Sequence, residues 1–330
     1  MANCLISIGT NLGDRSLAID RAVSALQVND AITVSKVSNR HITQPVGGPA
    51  GQGAFLNAVA LLETALAPSV LLSELQAIEV AAGRTREVRW GARSLDLDLL
   101  LYGEIVSNDG HLVLPHPRMA FRRFVLEPAC EVAPSMMHPI LGRSMRELLQ
   151  HLDLAPDYVA ITGVANAGKS ALANAVAART AARFAVEKTC SFSGDNVSPT
   201  LSAPAEIELL SCRSQLLQST LCAAGNEFVI SDFWLGQSLA FAKHLQPEAY
   251  PTIEQAYLTS ACSAIAPKLI VVVELDFAHA NANQQTEASI AIQRSLIELL
   301  RQPGFPPALR LNATNASWNE EEIVAAIQAM

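Results

Sequence analysis

One short pattern limits the architecture of this chain more than any other. Gly163-Val164-Ala165-Asn166-Ala167-Gly168-Lys169-Ser170 fits G-x-x-x-x-G-K-[ST]. It follows the apolar run Tyr158–Thr162 and opens an Ala-rich segment that begins at Lys169. A strand, a Gly-rich turn and a helix N-terminus in that order aim backbone N–H groups at a phosphate. The alternative is a chance Gly-rich turn, which has no need of that flanking order. Phe228–Ser231 and Leu269–Leu275 are further short apolar runs. Runs of this kind suit the interior of a parallel sheet covered on both faces. With 330 residues in all, an α/β domain that starts near 157 leaves room in front for a second core. The boundary is placed near Pro156, giving domains 1–156 and 157–330.

The first segment reads differently. Leu5–Ile8 is expected as a strand, and Asp14 as the cap of a helix to about Leu26 with Leu17, Ala18, Ala22 and Leu26 on one face. Asn57–Leu62 and Ser94–Tyr102 are expected strands, and Ser69–Ala81 a helix ended by Gly83. Strands and helices here lack regular βαβ alternation, which predicts an α+β domain.

Charge narrows the function classes. The net charge is −8 and the pI about 5.4, which excludes a broad electrostatic nucleic-acid face. Arg outnumbers Lys, 18 to 5, and twelve of the Arg precede residue 157. Arg suits bidentate phosphate contacts, so a local anion site is expected instead. The six Cys show no C-x-x-C pair and read as free thiols. No segment is long enough to span a bilayer, and the start lacks a basic, then apolar, leader pattern. The expectation is a cytoplasmic protein without membrane or nucleic-acid partners.

The Arg concentrate in one place. Arg84, Arg86, Arg89 and Arg93 fall within ten residues, followed by Asp96 and Asp98. On a strand, positions i and i+2 share a face, so the two carboxylates project together while Leu95, Leu97 and Leu99 face the core. Two such carboxylates suit a hard cation such as magnesium, and Arg beside them makes a polyphosphate site. The alternative is a solvated strand edge whose Asp pair with nearby Arg. That alternative leaves Trp90, His116 and Arg122 in the same domain unexplained.

The stretch Arg84–Asp98 resembles the signature of hydroxymethyl-dihydropterin pyrophosphokinase, an enzyme of folate biosynthesis. The resemblance extends over nearly all of residues 1–150. It includes Ile8–Gly13, Thr43–Gly47, Phe55–Ala58, Glu79, Leu114–Arg118 and Arg122–Leu126. It implies a ferredoxin-like α/β sandwich and transfer of pyrophosphate from ATP, the co-substrate, to the pterin hydroxymethyl group with two magnesium ions. By position, Asp96 and Asp98 would hold the metal, and Arg84 and Arg93 would be the catalytic cations on the triphosphate. Phe55 and Phe124 would sandwich the pterin, with Asn57 and the segment at Thr43, Pro45 and Val46 along its edge. Gln76, Glu79, Arg86, Leu99, His116 and Arg122 would line the ATP side, and Trp90 is counted with both substrates. Core packing is the plainer reading of the two Phe, and a turn that of His116, taken alone. The loop from Arg86 to Trp90 is one residue shorter than in some relatives, which implies a changed rate of closure over substrates.

The second segment resembles the deoxynucleoside kinase family, in the order known from fused bacterial forms. That resemblance implies an α/β P-loop kinase-like domain with a parallel sheet. Gly163, Gly168, Lys169 and Ser170 would bind ATP. Glu187 would be the catalytic base, and Glu206, Arg213 and Asp232 further site residues. The plainer reading of Glu187 and Asp232 is solvated strand-end carboxylates. Three departures stand out. Glu206 replaces the family's usual Gln, leaving acceptors only. Phe192 is the one aromatic between Cys190 and Glu206, and Asp276 to Gln293 carries no Arg or Lys. Phosphoryl transfer depends on positive charge at that place. Nucleotide binding is therefore expected ahead of kinase activity. The alternatives are an active deoxynucleoside kinase, making the protein bifunctional with a deoxynucleoside as further substrate, and a regulatory or dimerisation module. A homodimer through this domain is a family-based expectation.

Overall fold

The computed structural model describes residues 1–84, 90–187, 202–263, 266–277, 287–314 and 316–330. It divides into two compact units, Met1–Asp153 with Ala325–Met330, and Leu154–Val324.

The first unit is built on an antiparallel sheet. In chain order its elements are β1 (Ala2–Thr10), α1 (Arg15–Val28), β2 (Ile32–Val37), β3 (His41–Thr43), β4 (Phe55–Thr64), α2 (Pro68–Ala81), β5 (Asp96–Tyr102), β6 (Ser107–Asp109), β7 (Leu112–Leu114), α3 (Arg123–Val132), β8 (Met137–His138), β9 (Arg143–Ser144) and α4 (Met145–Leu154). The sheet order is β2-β4-β1-β5, with β3 also pairing β4. With β1, α1, β2, β4, α2 and β5 as the core, this is the ferredoxin-like topology expected. Ile6 and Ile8 of β1, Ala58, Ala60 and Leu62 of β4 and Leu71 and Leu75 of α2 are buried together. Leu5 and Val59, on the opposite face, are equally buried, and α3 packs against β4.

Local expectations need two kinds of correction here. Asp14 does cap α1, accepting from the Leu17 N–H at 3.0 Å, but Leu17 itself is exposed. The buried stripe is Ile19, Ala22 and Leu26: Ala22 and Leu26 belong to the expected face, while Ile19 takes the inward place expected of Leu17 and the half-buried Ala18. The third expected strand starts at Asp96, not Ser94, because the Thr10 hydroxyl donates to the Ser94 carbonyl at 2.7 Å and holds that residue off the ladder. The strands β3 and β6 to β9, of two or three residues each, have too few alternating residues to be read from pattern, and β2 is a further addition to the expected elements.

The second unit has a parallel sheet of order β11-β12-β10-β13-β14. Its elements are β10 (Tyr158–Thr162), α5 (Lys169–Thr180), β11 (Arg183–Ala185), α6 (Ala203–Ala224), β12 (Val229–Ser231), α7 (Gln237–Leu245), α8 (Tyr250–Ser263), β13 (Leu269–Glu274), α9 (Glu287–Leu300), β14 (Ala308–Asn312) and α10 (Ala316–Ala329). The apolar runs expected inside such a sheet are there: β10 and β12 are buried throughout, and β13 except at Glu274. The chain leaves β10 for one side of the sheet and later returns to the other. The C-terminal end of β10 is thus the switch point, where α/β sheets open a ligand crevice. This is a P-loop kinase-like α/β arrangement.

Candidate active site

The end of α2 sets the first part of the site. Gly83 adopts φ +77, the Gly83 N–H donates to the Val80 carbonyl, and the Arg84 N–H donates to the Glu79 carbonyl at 3.1 Å. This is the glycine-terminated helix end in which two overlapping bonds reverse the chain. It returns Arg84 onto the Glu79 side chain, with which its guanidinium forms an ion pair. Glu79 is only 3% exposed. Burial pushes its carboxyl above the usual range, while the Leu97 N–H and Arg84 pull it down. Leu97 donates to Glu79 Oε1 at 2.7 Å, so the helix end holds the strand between its two Asp.

Asp96 and Asp98 lie on β5, opposite Gly9 and Ser7 of β1, while Leu95, Leu97 and Leu99 are buried as expected. Asp96 is the meeting point of both Arg expected on the triphosphate. Arg93 pairs with its Oδ2, and Arg84 Nη1 lies 2.7 Å from its Oδ1. That second contact has no hydrogen-bond geometry, and Oδ1 is buried without a hydrogen bond. Among the described residues no three His, Cys, Asp or Glu form a metal cage. Magnesium needs none: it commonly takes one or two carboxylates and completes its shell with phosphates and water. An unbonded carboxylate oxygen beside two phosphate-seeking guanidinium groups fits that habit.

Asn11 ties two loops to the end of β1. Its Oδ1 accepts from the Arg93 N–H at 2.7 Å, and its Nδ2 donates to the Gly53 carbonyl at 3.2 Å and Gln52 Oε1 at 3.4 Å. Gln52 Nε2 donates in turn to the Trp90 carbonyl at 2.9 Å. Trp90 has φ +53 and lies against Gly47 and Gly48, where an added Cβ would sit 2.8 Å from the indole or 2.3 Å from the Trp90 carbonyl. Both glycines have positive φ, so the loop needs them twice over. Gln52 was missed in the sequence, and Asn11 was noticed only within a motif. Neither carries a charge or a periodicity that would mark it.

Thr43, Phe55 and Asn57 are brought together by the β3–β4 pairing. Thr43 faces Phe55 in register, and Asn57 Nδ2 donates to Thr43 Oγ1 at 2.7 Å. Pro45 and Val46 follow in the β3–β4 loop, half-buried. Phe124 lies in the first turn of α3, with Arg122 Cζ 5.4 Å from its ring centre. Phe55 and Phe124 are both half-buried and absent from the core, unlike the packed Phe121.

A cavity of about 220 Å³ lies beside β5, walled by Gln76, Glu79, Arg84, Asp98, Leu99 and His116 together with Leu72, Leu97, His111, Leu112, Val113 and Pro117. It gathers Gln76, Glu79, Leu99 and His116 from the expected ATP side. Trp90 and Arg122 are not among its walls. Arg86 lies outside the described residues, as does the shortened loop up to Arg89. Burial pushes the His116 imidazole down to about 3, helped by Arg122 and Arg118. The ring is therefore neutral, and its Nδ1 accepts the Arg118 N–H at 3.2 Å.

In the second unit, Gly163, Asn166 and Gly168 have positive φ, and the loop wraps the N-terminus of α5. A Cβ on Gly163 would meet the Val273 carbonyl oxygen at 2.4 Å. Lys169 Nζ donates to its own loop, at the Val164 carbonyl, 2.7 Å away, while Ser170 is exposed. Glu187, Arg213 and Asp232 do converge. The Glu187 N–H donates to Asp232 Oδ1 at 2.8 Å, and Arg213 Nε donates to Glu187 Oε1 at 2.7 Å. Arg213 is 6% exposed, bonds Ser238 Oγ at 2.9 Å and lies 3.7 Å from Glu206 Oε1. Burial lowers the Lys169 pKa, opposed by Glu187 and Asp232. Asp232 is itself buried, so the solvated strand-end reading does not apply to it. Cys190, Phe192 and much of the Arg-free stretch after Asp276 lie outside the described residues.

Residues 5–134 match the protein family described as 7,8-dihydro-6-hydroxymethylpterin-pyrophosphokinase. Three similar proteins are each called 2-amino-4-hydroxy-6-hydroxymethyldihydropteridine pyrophosphokinase. That of Pseudomonas aeruginosa is 43% identical over 144 residues, 44% of this chain and 88% of its own length. That of Bacillus subtilis is 46% identical over 127 residues, 38% and 75% of the two chains. That of Methylorubrum extorquens is 39% identical over 153 residues, 46% and 95%. Among solved structures, a deoxyadenosine kinase from M. mycoides with products bound matches with a TM-score of 0.38 and 14% identity, over 52% of this chain and 100% of that one.

Proposed function

The chain belongs, through its first unit, to the 7,8-dihydro-6-hydroxymethylpterin pyrophosphokinase family, and on that premise we propose how its residues divide the reaction. Family members of this kind are ATP-dependent pyrophosphokinases of folate biosynthesis. The pterin hydroxymethyl oxygen attacks the β-phosphorus of ATP, the bond from that phosphorus to the α–β bridging oxygen breaks, and AMP leaves. The hydroxyl proton is released to solvent as the new O–P bond forms.

Asp96 and Asp98 would hold the magnesium, two ions in all. Magnesium bound there would supply charge neutralisation on the phosphate oxygens and orientation of the triphosphate for in-line transfer. Arg84 and Arg93 stabilise the negative charge of the transferring group. Thr43 and Asn57, with backbone groups at Pro45 and Val46, meet the polar edge of the pterin. Phe55 and Phe124 take its faces, an arrangement favourable for a flat aromatic ring. Gln76, Glu79, Leu99 and His116 wall the ATP cavity, and Arg86, Trp90 and Arg122 close the substrates in. The observation that carries this assignment is the convergence of Arg84 and Arg93 on Asp96, whose Oδ1 is buried without a hydrogen bond.

The test is incubation with ATP, magnesium and 6-hydroxymethyl-7,8-dihydropterin, following AMP and the pyrophosphorylated pterin by chromatography. Stoichiometric AMP and product support the assignment; ADP as the nucleotide product refutes it.

For the second unit, taken as residues 157–330 beside a first domain of 1–156, nucleotide binding without efficient transfer is the favoured reading. The phosphate loop at the switch point supports binding. Arg213 is already engaged by Glu187, Ser238 and Glu206, which speaks against its ready use on a phosphate. Calorimetry with ATP, paired with a labelled-phosphate screen over deoxynucleosides, separates the cases. Binding without product supports the module, and turnover of any deoxynucleoside refutes it.

A further inference from the structure

The strand that carries Thr43 is short and one-sided. β3 has three residues and pairs with β4 only. A strand of that length has few ladder bonds to keep it in place. A second restraint comes from α3. Glu131 Oε2 accepts the Asn39 N–H at 2.7 Å, and Glu131 Oε1 lies 2.8 Å from His41 Nε2. The other ring nitrogen, Nδ1, is 3.7 Å from Glu127 Oε2, one helical turn back on α3. Just before this point, Ser38 anchors the chain to β4. Its N–H donates to the Val59 carbonyl and its hydroxyl accepts the Val59 N–H, both at 2.9 Å. The Asn39–His41 segment is thus held from β4 on one side and from α3 on the other.

The first turn of the same helix carries the aromatic residue assigned to the pterin. Phe124 is the second residue of α3, and Glu131 lies two turns further on. Two residues along β3 from His41 stands Thr43, hydrogen-bonded to Asn57. The Glu131–His41 contact therefore joins the element bearing one wall of the proposed pterin pocket to the element bearing its polar edge. Loss of that link leaves the ATP cavity along β5 untouched, because none of its walls comes from β3 or α3.

We propose that Glu131, acting through His41 and the Asn39 N–H, is a positioning residue that sets the spacing between Thr43 and Phe124 for the pterin. This rests on the pterin assignment above. Neither side chain touches the substrate; each fixes a neighbour that does. The link serves affinity for the pterin rather than the handling of phosphate.

The experiment measures KM for the pterin and for ATP separately in the full chain with Glu131→Ala, His41→Ala and the double variant. His41→Ala is expected to raise the pterin KM about tenfold, the loss of one charge-assisted hydrogen bond, and Glu131→Ala, which also frees the Asn39 N–H, at least as much, with the ATP KM unmoved. The double variant is expected to match Glu131→Ala rather than multiply the two effects, since the contact that His41→Ala removes is already lost there. Glu131→Gln keeps an acceptor for the Asn39 N–H and is expected to recover part of the loss. Should an alanine variant fail to fold, Glu131→Gln and His41→Asn carry the same comparison with a smaller effect of the same sign. An unchanged pterin KM in both singles, equal rises in both KM values, or multiplying effects overturns the proposal. Wild-type turnover of the pterin is measured first. Its absence would strike the pterin assignment, whereas normal wild-type turnover with silent variants strikes this proposal alone.

Discussion

The backbone N–H of Leu97, the residue between Asp96 and Asp98, donates to Glu79 Oε1 at 2.7 Å. A buried carboxylate on α2 thereby fixes the strand that carries the acidic pair, and holds Arg84 at the same time. Glu79→Ala would leave that N–H buried and unpaired. It is expected to cost roughly 1–3 kcal/mol of first-unit stability and to raise the KM for ATP. Glu79→Gln, which retains an acceptor oxygen, is expected to recover most of the stability and less of the ATP affinity. Urea unfolding and steady-state kinetics of the two variants check this.

Asn11 predicts a different signature. Removing its side chain frees the Arg93 N–H and the Gly53 carbonyl together, loosening Arg93 and the loop at Gln52. Asn11→Ala should lower kcat about tenfold or more, because misplacing a group that acts on the transferring phosphate costs rate. Asn11→Asp keeps the acceptor for Arg93 and should be the milder change. Equal kcat in all three proteins would contradict the role.

Two buried histidines give the first unit a pH dependence. Burial pushes His116 down to about 3 and His138 down to about 4 from an ordinary 6.5, and the Nδ1 of each accepts a backbone N–H. The unfolded chain binds protons at these sites where the folded one does not. Stability is therefore complete above pH 6.5 and falls as the pH drops from 6.5 toward 4. Each ring contributes roughly 1.4 kcal/mol per pH unit in that window. His138→Asn keeps an acceptor for the Leu141 N–H and cannot titrate. Its melting temperature should fall less steeply between pH 6.5 and 4.5 than that of the wild type.

The second unit offers a separable test. Lys169→Ala should abolish ATP binding at the phosphate loop, read by calorimetry on a variant with Asp96 and Asp98 also replaced so that only the second site reports. Gly163→Ala should destabilise the unit by roughly 1–3 kcal/mol, since a Cβ there meets the Val273 carbonyl at φ +150. Undiminished ATP binding by the Lys169 variant would contradict the assignment of the loop.

Much of this arrangement was legible in residue order, for reasons that differ by element. β10, β12 and β13 announce themselves because a strand buried on both faces must be apolar throughout. The Asp96–Asp98 alternation and the Gly83 helix end follow from local geometry that the sequence records directly. On α1, Ala22 and Leu26 face inward as expected, but Ile19 rather than the exposed Leu17 opens the stripe, because periodicity alone cannot choose between neighbouring apolar residues. β3 and the Asn11–Gln52 link stayed hidden because three-residue strands have no period and neutral amides have no charge pattern. Even the convergence of Arg84 and Arg93 on one carboxylate oxygen pair required the fold, since sequence spacing put Asp98 on equal terms with Asp96.

The most direct measurement is AMP formation from ATP and 6-hydroxymethyl-7,8-dihydropterin by Asp96→Asn, Asp98→Asn and the double variant, titrated with magnesium. Each single variant is expected to lose at least about 100-fold in rate and to need more magnesium for half-maximal activity, with the double variant inactive. Wild-type rates in the double variant, at the wild-type magnesium requirement, would contradict the account.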